Sequence, residues 1–236
     1  IIYYNIYMID GILQVDKEEG ITSYDVIRRL KGILGKEQKI GHAGTLDPLA
    51  TGLLLILLGR ATKMEGTIHS YEKVYDVEGV FGYSTDTQDI QGSIIKKDRS
   101  VIQPSKEDVE KVIDTYFLGQ ILQTPPQYSA KKVGGRKAYE LARQGQNFSL
   151  KPVSIYISQF EIVEYKYPII KCRIKCSSGT YIRTVINDLG EKLGSYATVR
   201  KIRRVSIGDF NVSEAIPSSQ LTLENKENIL RRVINI

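Results

Sequence analysis

The chain has 236 residues, of which 42% are hydrophobic and 25% are charged, a composition typical of an ordinary globular protein with a sizeable core. Its longest uncharged apolar run, Leu53–Leu58, is far shorter than the roughly 20 residues that cross a bilayer. No signal peptide is evident, so the cytoplasm is the expected location, and the formal charge of +6 indicates an anionic partner.

The first predicted elements are a strand over residues 11–16 and a helix that begins at Thr22 or Ser23 and ends at Gly35. Apolar and polar residues alternate in the strand segment, which is typical of a strand with one buried face. One side of the helix carries three apolar residues, Ile27, Leu30 and Leu34. Residues 1–8 precede these elements and are interpreted as an N-terminal extension.

The most informative stretch is residues 41–52, Gly-His-Ala-Gly-Thr-Leu-Asp-Pro-Leu-Ala-Thr-Gly. It is predicted to form a tight loop, because Pro48 fixes its own φ and moves Asp47 out of the helical region, and because glycine tolerates close approaches. The apolar run 53–58 behind it is predicted to be a strand buried on both faces. A single carboxylate on a loop beside a rigid strand is a typical mounting for a catalytic group, although an Asp-Pro turn is more often purely structural.

Three elements follow: a helix over 60–70, a strand over 73–81 and a helix that begins at Ser105. The strand places three residues on one face, Tyr75, Val77 and Phe81. Residues 82–97, rich in Asp, Thr, Ser and Gly, are predicted to be a loop. In the second helix Asp108 completes a capping box with Ser105.

Two segments are rich in basic residues. Between Pro126 and Lys151 the only acid is Glu140, and the basic residues are Lys131, Lys132, Arg136, Lys137, Arg143 and Lys151. The second cluster is Arg200, Lys201, Arg203 and Arg204. Basic clusters interleaved with tyrosines favour a nucleic-acid surface, and a solvated charged face is the alternative.

The remaining predicted elements are strands over 153–163, 169–176 and 199–207 and helices over 137–144, 180–193 and 224–234. Strands and helices interleave without regular βαβ spacing, and short turns between neighbouring strands imply antiparallel pairing, so one α+β domain is predicted. Cys172 and Cys176 lie about 13 Å apart on one strand and cannot bridge each other. Both are predicted to be buried hydrophobic residues.

A second constellation, residues 177–184, leads into a helix whose first turn holds Arg183. The helix dipole disfavours a cation there, so Arg183 indicates a carboxylate or phosphate partner, unless it simply faces solvent. Tyr181 would stack on a base or pack at the helix end. A carboxylate needs no general base to act as a nucleophile, which suits Asp47 to that role. The segment 41–60 holds no second acid, which argues against the two-carboxylate chemistry of glycosidases. His42 would act as a base, although a lone histidine is more often structural.

Four segments, 11–23, 42–54, 73–75 and 179–188, together resemble the TruB family of tRNA pseudouridine synthases in order and spacing. The resemblance covers most of residues 9–208, and Gly-Thr-Leu-Asp-Pro-Leu-Ala-Thr-Gly is its most specific motif. It implies a mixed, mainly antiparallel sheet flanked by helices. It also implies isomerisation of the uridine at position 55, in the TΨC loop of tRNA, without metal or cofactor.

The resemblance also implies roles for individual residues. Asp47 would be the catalytic carboxylate, and Arg183 would pair with it. The residues that would contact the substrate are His42, Tyr75, Tyr181, Arg183 and Ile202. Tyr75 would stack on the extruded base. A basic loop over 124–151 would close on the RNA, with contacts from Lys131, Lys132, Arg136 and Lys137.

Two features depart from the family pattern. Its first motif usually reads Asp-Lys-Pro, whereas this chain has Asp16-Lys17-Glu18, which is expected to alter a turn rather than the chemistry. The family also continues into a C-terminal RNA-binding domain, and the residues after 207 are too few for a core of their own. The expected organisation is therefore a catalytic domain over 9–210 with a short C-terminal remnant over 211–236.

Several alternatives stay open at this point. Asp47 would attack C1′ of the ribose or C6 of the base, or would abstract a sugar proton. A non-catalytic RNA-binding module would use the same basic clusters and tyrosines, and a carboxylate-dependent nucleosidase would release free uracil. The expected partner is tRNA, bound by a monomer.

Overall fold

The computed structural model describes residues 8–98 and 103–236. Residues 1–7 lie outside the described part, so of the predicted N-terminal extension only Met8 is described. The chain divides into two compact units, one made of residues up to Val74 together with Arg203–Ile236, the other of Tyr75–Ile202. The boundary placed at residue 210 stays a prediction.

The elements are numbered here in chain order. The helices are α1 (Ser23–Leu34), α2 (Glu65–Ser70), α3 (Lys106–Tyr116), α4 (Ala138–Arg143), α5 (Ile182–Lys192) and α6 (Lys226–Arg231). The strands are β1 (Gly11–Lys17), β2 (Ile40–Ala43), β3 (Thr51–Leu58), β4 (Lys73–Phe81), β5 (Tyr83–Thr85), β6 (Ile94–Lys97), β7 (Gly119–Gln123), β8 (Lys132–Val133), β9 (Arg136–Lys137), β10 (Val153–Lys166), β11 (Ile169–Cys176), β12 (Ala197–Ile207), β13 (Phe210–Asn211) and β14 (Ile216–Pro217). Short 3-10 helices are formed by Gly59–Met64, Val212–Glu214 and Ser218–Gln220.

Strand β3 is the core of the first unit. It pairs antiparallel with β1 and β2 and parallel with Arg203–Arg204 of β12, while β14 pairs parallel with β1. Every residue from Leu53 to Leu58 is 0% exposed, which confirms the prediction of a strand buried on both faces. Residues 40–43, however, form β2, so the predicted loop over 41–52 is shorter and runs from 44 to 50.

The helix boundaries of the first unit follow from local capping. At the start of α1 the Thr22 hydroxyl accepts from the Asp25 N–H, and Asp25 accepts from the Thr22 N–H, which forms a capping box. At the end of α2 the buried Lys73 ammonium donates to the His69 and Tyr71 carbonyls. A cation there is favourable because helix carbonyls are unsatisfied at this end.

The second unit is built on strands in the order β12, β4, β11, β10 and β7. Strands β10 and β11 form an antiparallel hairpin, and β7 pairs antiparallel with the other edge of β10. Cys172 and Cys176 are buried and do not bridge each other, as predicted. The predicted strands and helices, with mainly antiparallel pairing in a mixed sheet, confirm the α+β class.

The prediction that residues 82–97 form a loop is wrong at both ends of the segment. Tyr83–Thr85 and Ile94–Lys97 pair as the antiparallel hairpin β5–β6. These strands have only three and four residues, which is too short for a periodic pattern to be visible in the sequence. No helix within residues 8–98 and 103–236 is long and apolar enough to cross a membrane.

Candidate active site

Asp47 lies half-buried on the loop between β2 and β3 in the first unit. The Ala50 N–H donates to the Asp47 carbonyl at 3.0 Å, and the Gly20 N–H donates to the Pro48 carbonyl at 2.8 Å. The second of these bonds ties the loop to the turn that follows β1. The carboxylate is therefore carried by a backbone with fixed geometry.

Arg204 joins the two ends of the Asp47 loop. Its side chain is buried, its Nε donates to the Leu53 carbonyl at 2.7 Å, and its Nη2 donates to the Gly44 carbonyl at 2.8 Å. A guanidinium has several donors in a rigid plane, so one side chain can bind both carbonyls at once. Sequence reasoning placed Arg204 in a nucleic-acid surface, whereas its observed contacts are structural.

Two glycines of the motif pack directly against Arg204. A Cβ on Gly52 would lie 2.2 Å from the Arg204 carbonyl oxygen, and the φ of Gly52 is +102°. A Cβ on Gly44, whose φ is +84°, would lie 3.3 Å from Arg204 Nη1. Both positions therefore need glycine for backbone conformation, and Gly52 also needs it for close approach of the neighbouring strand.

Lys17 is a buried cation beneath the same loop. It is 0% exposed, and its Nζ donates to the carbonyls of Glu18 at 2.8 Å, Ile21 at 2.8 Å and Pro48 at 3.4 Å. Burial lowers the pKa of Lys17 to about 8, and the negative charge of Asp47 opposes this shift. Lys17 therefore fixes the turn after β1 against the Asp-Pro backbone and adds positive charge near Asp47.

Glu18 stands at the position where the Asp-Lys-Pro pattern has proline. The Glu18 N–H donates to Ser218 Oγ at 3.0 Å, a bond that proline could not make, and its carboxylate lies 2.8 Å from Arg29. Glu18 thus contacts neighbouring segments of the chain through both its backbone N–H and its side chain.

The depressed pKa of Lys17 predicts a pH-dependent stability. The folded state holds this lysine with a pKa of about 8 against 10.5 in model compounds, so between these values the unfolded state binds more protons. Stability contributed by this group therefore rises as pH increases from 8 to 10.5. We expect Lys17→Met to remove that rise in urea unfolding measured at pH 7.5 and 10, relative to wild type. The exposed Lys36→Met is the control, and equal pH slopes in both variants would contradict the assignment.

His42 lies on β2 in the first unit. Its Nδ1 is buried and has no hydrogen-bond partner within the described residues. Burial lowers the pKa of His42, and the positive charge of Arg204 lowers it further, so both effects favour the neutral imidazole. A neutral imidazole can both donate and accept hydrogen bonds.

In the second unit, Arg183 is buried in the first turn of α5. Its Nη1 donates to the Thr87 carbonyl at 2.5 Å, its Nη2 donates to the Tyr128 carbonyl at 2.9 Å, and Asp89 Oδ2 lies 3.9 Å away. The alternative in which Arg183 faces solvent is wrong, because its side chain is only 5% exposed. Asp89 is a carboxylate partner that sequence reasoning missed.

The loop that carries Asp89 is tightly ordered. Asp89 Oδ1 accepts from Thr87 Oγ1 at 2.7 Å and from the Gln91 N–H at 3.0 Å. Gln88 has a positive φ of 63°, and its side chain accepts from Thr184 Oγ1 at 2.8 Å. The Thr-Asp-Thr-Gln-Asp sequence is typical of Asx turns, and this was the available signal for the loop.

The remaining substrate-binding candidates also belong to the second unit. Tyr75 on β4 and Ile202 on β12 are buried, and Tyr181 is the half-buried N-cap residue of α5. Tyr181 and Arg183 therefore share the start of one helix.

The two basic clusters differ in whether their side chains form ion pairs with other residues of the chain. The four predicted to contact RNA are exposed on or beside the β8–β9 hairpin: Lys131, Lys132, Arg136 and Lys137. Arg200 lies 2.7 Å from Glu78, and Arg203 lies 2.7 Å from Asp16 in a bidentate pair. The second cluster is therefore largely engaged in contacts within each unit. Among the described residues no group of His, Cys, Asp and Glu could hold a metal ion.

The family model described as TruB family pseudouridylate synthase (N terminal domain) matches residues 31–182. The tRNA pseudouridine synthase B of Clostridium acetobutylicum is 44% identical over 96% of this chain and 76% of its own length. That of Endomicrobium trichonymphae is 42% identical over 96% of both chains.

Solved structures share the fold. The archaeal box H/ACA sRNP Nop10-Cbf5 complex contains a chain that matches with a TM-score of 0.69 and 22% identity, over 98% of this chain and 60% of that one. A Cbf5-Nop10-Gar1 complex matches with a TM-score of 0.70 and 23% identity, over 94% of this chain and 58% of that one. The chain thus spans less than two thirds of those solved chains.

Proposed function

Because the chain belongs to the TruB family of pseudouridylate synthases, we propose that it converts the uridine at position 55, in the TΨC loop of tRNA, to pseudouridine. Family membership confirms the enzyme class predicted from the motifs, a pseudouridine synthase that acts on tRNA. The observation that carries the proposal is 44% identity to a tRNA pseudouridine synthase B over 96% of the chain, including residues 41–52.

We propose Asp47 as the catalytic carboxylate. Its support is the specific motif around it, together with the fixed backbone on which Lys17 and Arg204 hold it. In the reaction the target uridine is extruded from its stack, and its N1–C1′ bond breaks. The uracil then rotates, C5 bonds to C1′, the proton on C5 is lost and N1 gains a proton. The product is an isomer, so no reductant, nucleotide or metal is consumed.

The substrate-binding roles follow from the family motifs. We propose that Arg183 contacts the substrate, that Tyr75 stacks on the extruded base, and that Tyr181 lines the uridine pocket with Ile202. His42 would hold other bases that leave the loop. A neutral imidazole suits that role, because it can pair with bases as donor and as acceptor.

For the RNA backbone, we propose contacts from the exposed residues Lys131, Lys132, Arg136 and Lys137. Cations that contact phosphates release counterions, so binding should weaken steeply as salt is raised. A cytoplasmic monomer that binds the TΨC stem-loop is the arrangement we propose.

Tritium release tests the function directly. With tRNA labelled at C5 of uridine, wild-type protein should release tritium in proportion to pseudouridine formed. A tRNA whose position-55 uridine is replaced by cytidine should release none above background. Release of free uracil would instead show a nucleosidase, binding without release would show a non-catalytic RNA-binding module, and equal release from both tRNAs would place the target elsewhere.

A further inference from the structure

The side chain of Gln123 binds both backbone groups of Tyr181. Gln123 Oε1 accepts from the Tyr181 N–H at 2.8 Å, and Gln123 Nε2 donates to the Tyr181 carbonyl at 3.1 Å. Gln123 is the last residue of β7 and is buried, with 2% of its surface exposed. One amide thus pairs with one residue much as a neighbouring strand would.

This contact lies at a helix start whose N-cap side chain makes no capping hydrogen bond. The helix is α5, and its N-cap residue is Tyr181. The first N–H groups of a helix lack partners within the helix, so an external acceptor decides how firmly that end is held. Gln123 provides this acceptor and also fixes the carbonyl that receives the Val185 N–H at 3.1 Å.

Contacts at the start of α5 also hold the beginning of the basic loop. Residues 124–151 begin directly after Gln123, and Tyr128 in that loop accepts from Arg183 Nη2. The start of the basic loop is therefore tied twice to the first turn of α5. One tie is to the backbone of Tyr181, and the other is to the side chain of Arg183.

We propose that Gln123 is a positioning residue for the reaction, holding Tyr181 and the first turn of α5 in the geometry that substrate conversion requires. The inference rests on the proposed function, since Tyr181 and Arg183 have their roles only in that reaction. Gln123 contacts neither RNA phosphates nor reacting atoms in this role. Its loss should therefore slow conversion of bound tRNA more than it weakens binding.

Gln123→Leu removes both hydrogen bonds and replaces glutamine with a side chain of similar size. Gln120→Leu is its matched control. Gln120 lies on the same strand and is exposed, and its amide bonds only to Ser154 Oγ among its described contacts. We expect the single-turnover rate of tritium release by Gln123→Leu to fall about 10- to 100-fold, the scale of a misplaced binding group. The Kd for tRNA, measured by filter binding, should change less than about threefold. Gln120→Leu should match wild type.

A second variant separates positioning from packing. In Gln123→Glu the ionised carboxylate can accept from the Tyr181 N–H but repels the Tyr181 carbonyl, whereas the protonated acid can bind both groups. Its rate relative to wild type at the same pH should therefore rise as pH falls from 8 to 5.5. This measurement applies even if Gln123→Leu does not fold.

The outcomes distinguish the two proposals. If wild-type protein releases no tritium from tRNA, the proposed function fails before Gln123 is tested. If wild type is active and Gln123→Leu equals Gln120→Leu, the positioning role is overturned. A pH-independent ratio for Gln123→Glu overturns it as well, and so does a loss of rate explained wholly by a higher Kd.

Discussion

Asp47→Asn is expected to abolish pseudouridine formation while leaving tRNA binding nearly intact. Asparagine keeps the size and the turn-forming tendency of aspartate, but it removes the negative charge that the proposed reaction uses. We expect the single-turnover rate to fall at least about 10⁴-fold, the scale on which enzymes lose a central catalytic group. Tritium release under saturating enzyme measures the rate, and filter binding measures the Kd.

The control for this substitution is Asp209→Asn. Asp209 is an exposed carboxylate of the first unit, in the turn between β12 and β13, so the control changes the net charge equally. It should retain the wild-type rate. Substantial tritium release by Asp47→Asn would remove Asp47 from the catalytic role, whereas a large rise in Kd would show that the carboxylate mainly organises the RNA-binding loop.

The chain shows which parts of such a site can be predicted from sequence. The buried strand behind the Asp47 loop was predictable, because six apolar residues between two glycines leave few other interpretations. The capping boxes at Thr22 and Ser105 were predictable for a similar reason, since each depends on residues only three positions apart.

The contacts that hold the site were not predictable in this way. Arg204 binds a carbonyl 160 positions away, and Gln123 binds Tyr181 across 58 positions. Arginine in a basic run is most often exposed, so only the tertiary pairing of β12 with β3 reveals that this one is buried. Backbone carbonyls as acceptors carry no signal of their own in the sequence.

The prediction of a loop at the residues that form β2 was wrong for a different reason. Ile-Gly-His-Ala has no alternating pattern, and its glycine and histidine favour a loop by composition. Its pairing with β3 nevertheless satisfies its backbone groups, because β3 lies beside it. Tertiary context therefore decides the structure of His42 and its neighbours, and the motif prediction was right about function class without being right about local conformation.

Gly52→Ala is expected to lose both stability and activity. The added Cβ would lie 2.2 Å from the Arg204 carbonyl oxygen and 2.7 Å from its backbone nitrogen, and neither backbone atom can move unless β12 separates from β3. The positive φ of Gly52 adds strain that alanine cannot relieve. We expect the free energy of unfolding to fall by roughly 3 kcal/mol or more, within the range of severe backbone substitutions.

Gly32→Ala is the matched control, and it is expected to raise the stability of the protein rather than lower it. Gly32 lies inside α1, and a Cβ there would meet nothing within 4 Å, so alanine should stabilise the helix by about 0.5–1 kcal/mol. Urea unfolding of both variants measures whether each substitution lowers or raises the free energy of unfolding.

Because Arg204 holds the Asp47 loop through Gly44 and Leu53, displacement of β12 should also shift the carboxylate. A folded Gly52→Ala protein should therefore show a single-turnover rate about 10- to 100-fold below wild type. Wild-type stability and rate in this variant would contradict the close approach of β12 to the motif, and with it the reason for glycine at the end of the Asp47 loop.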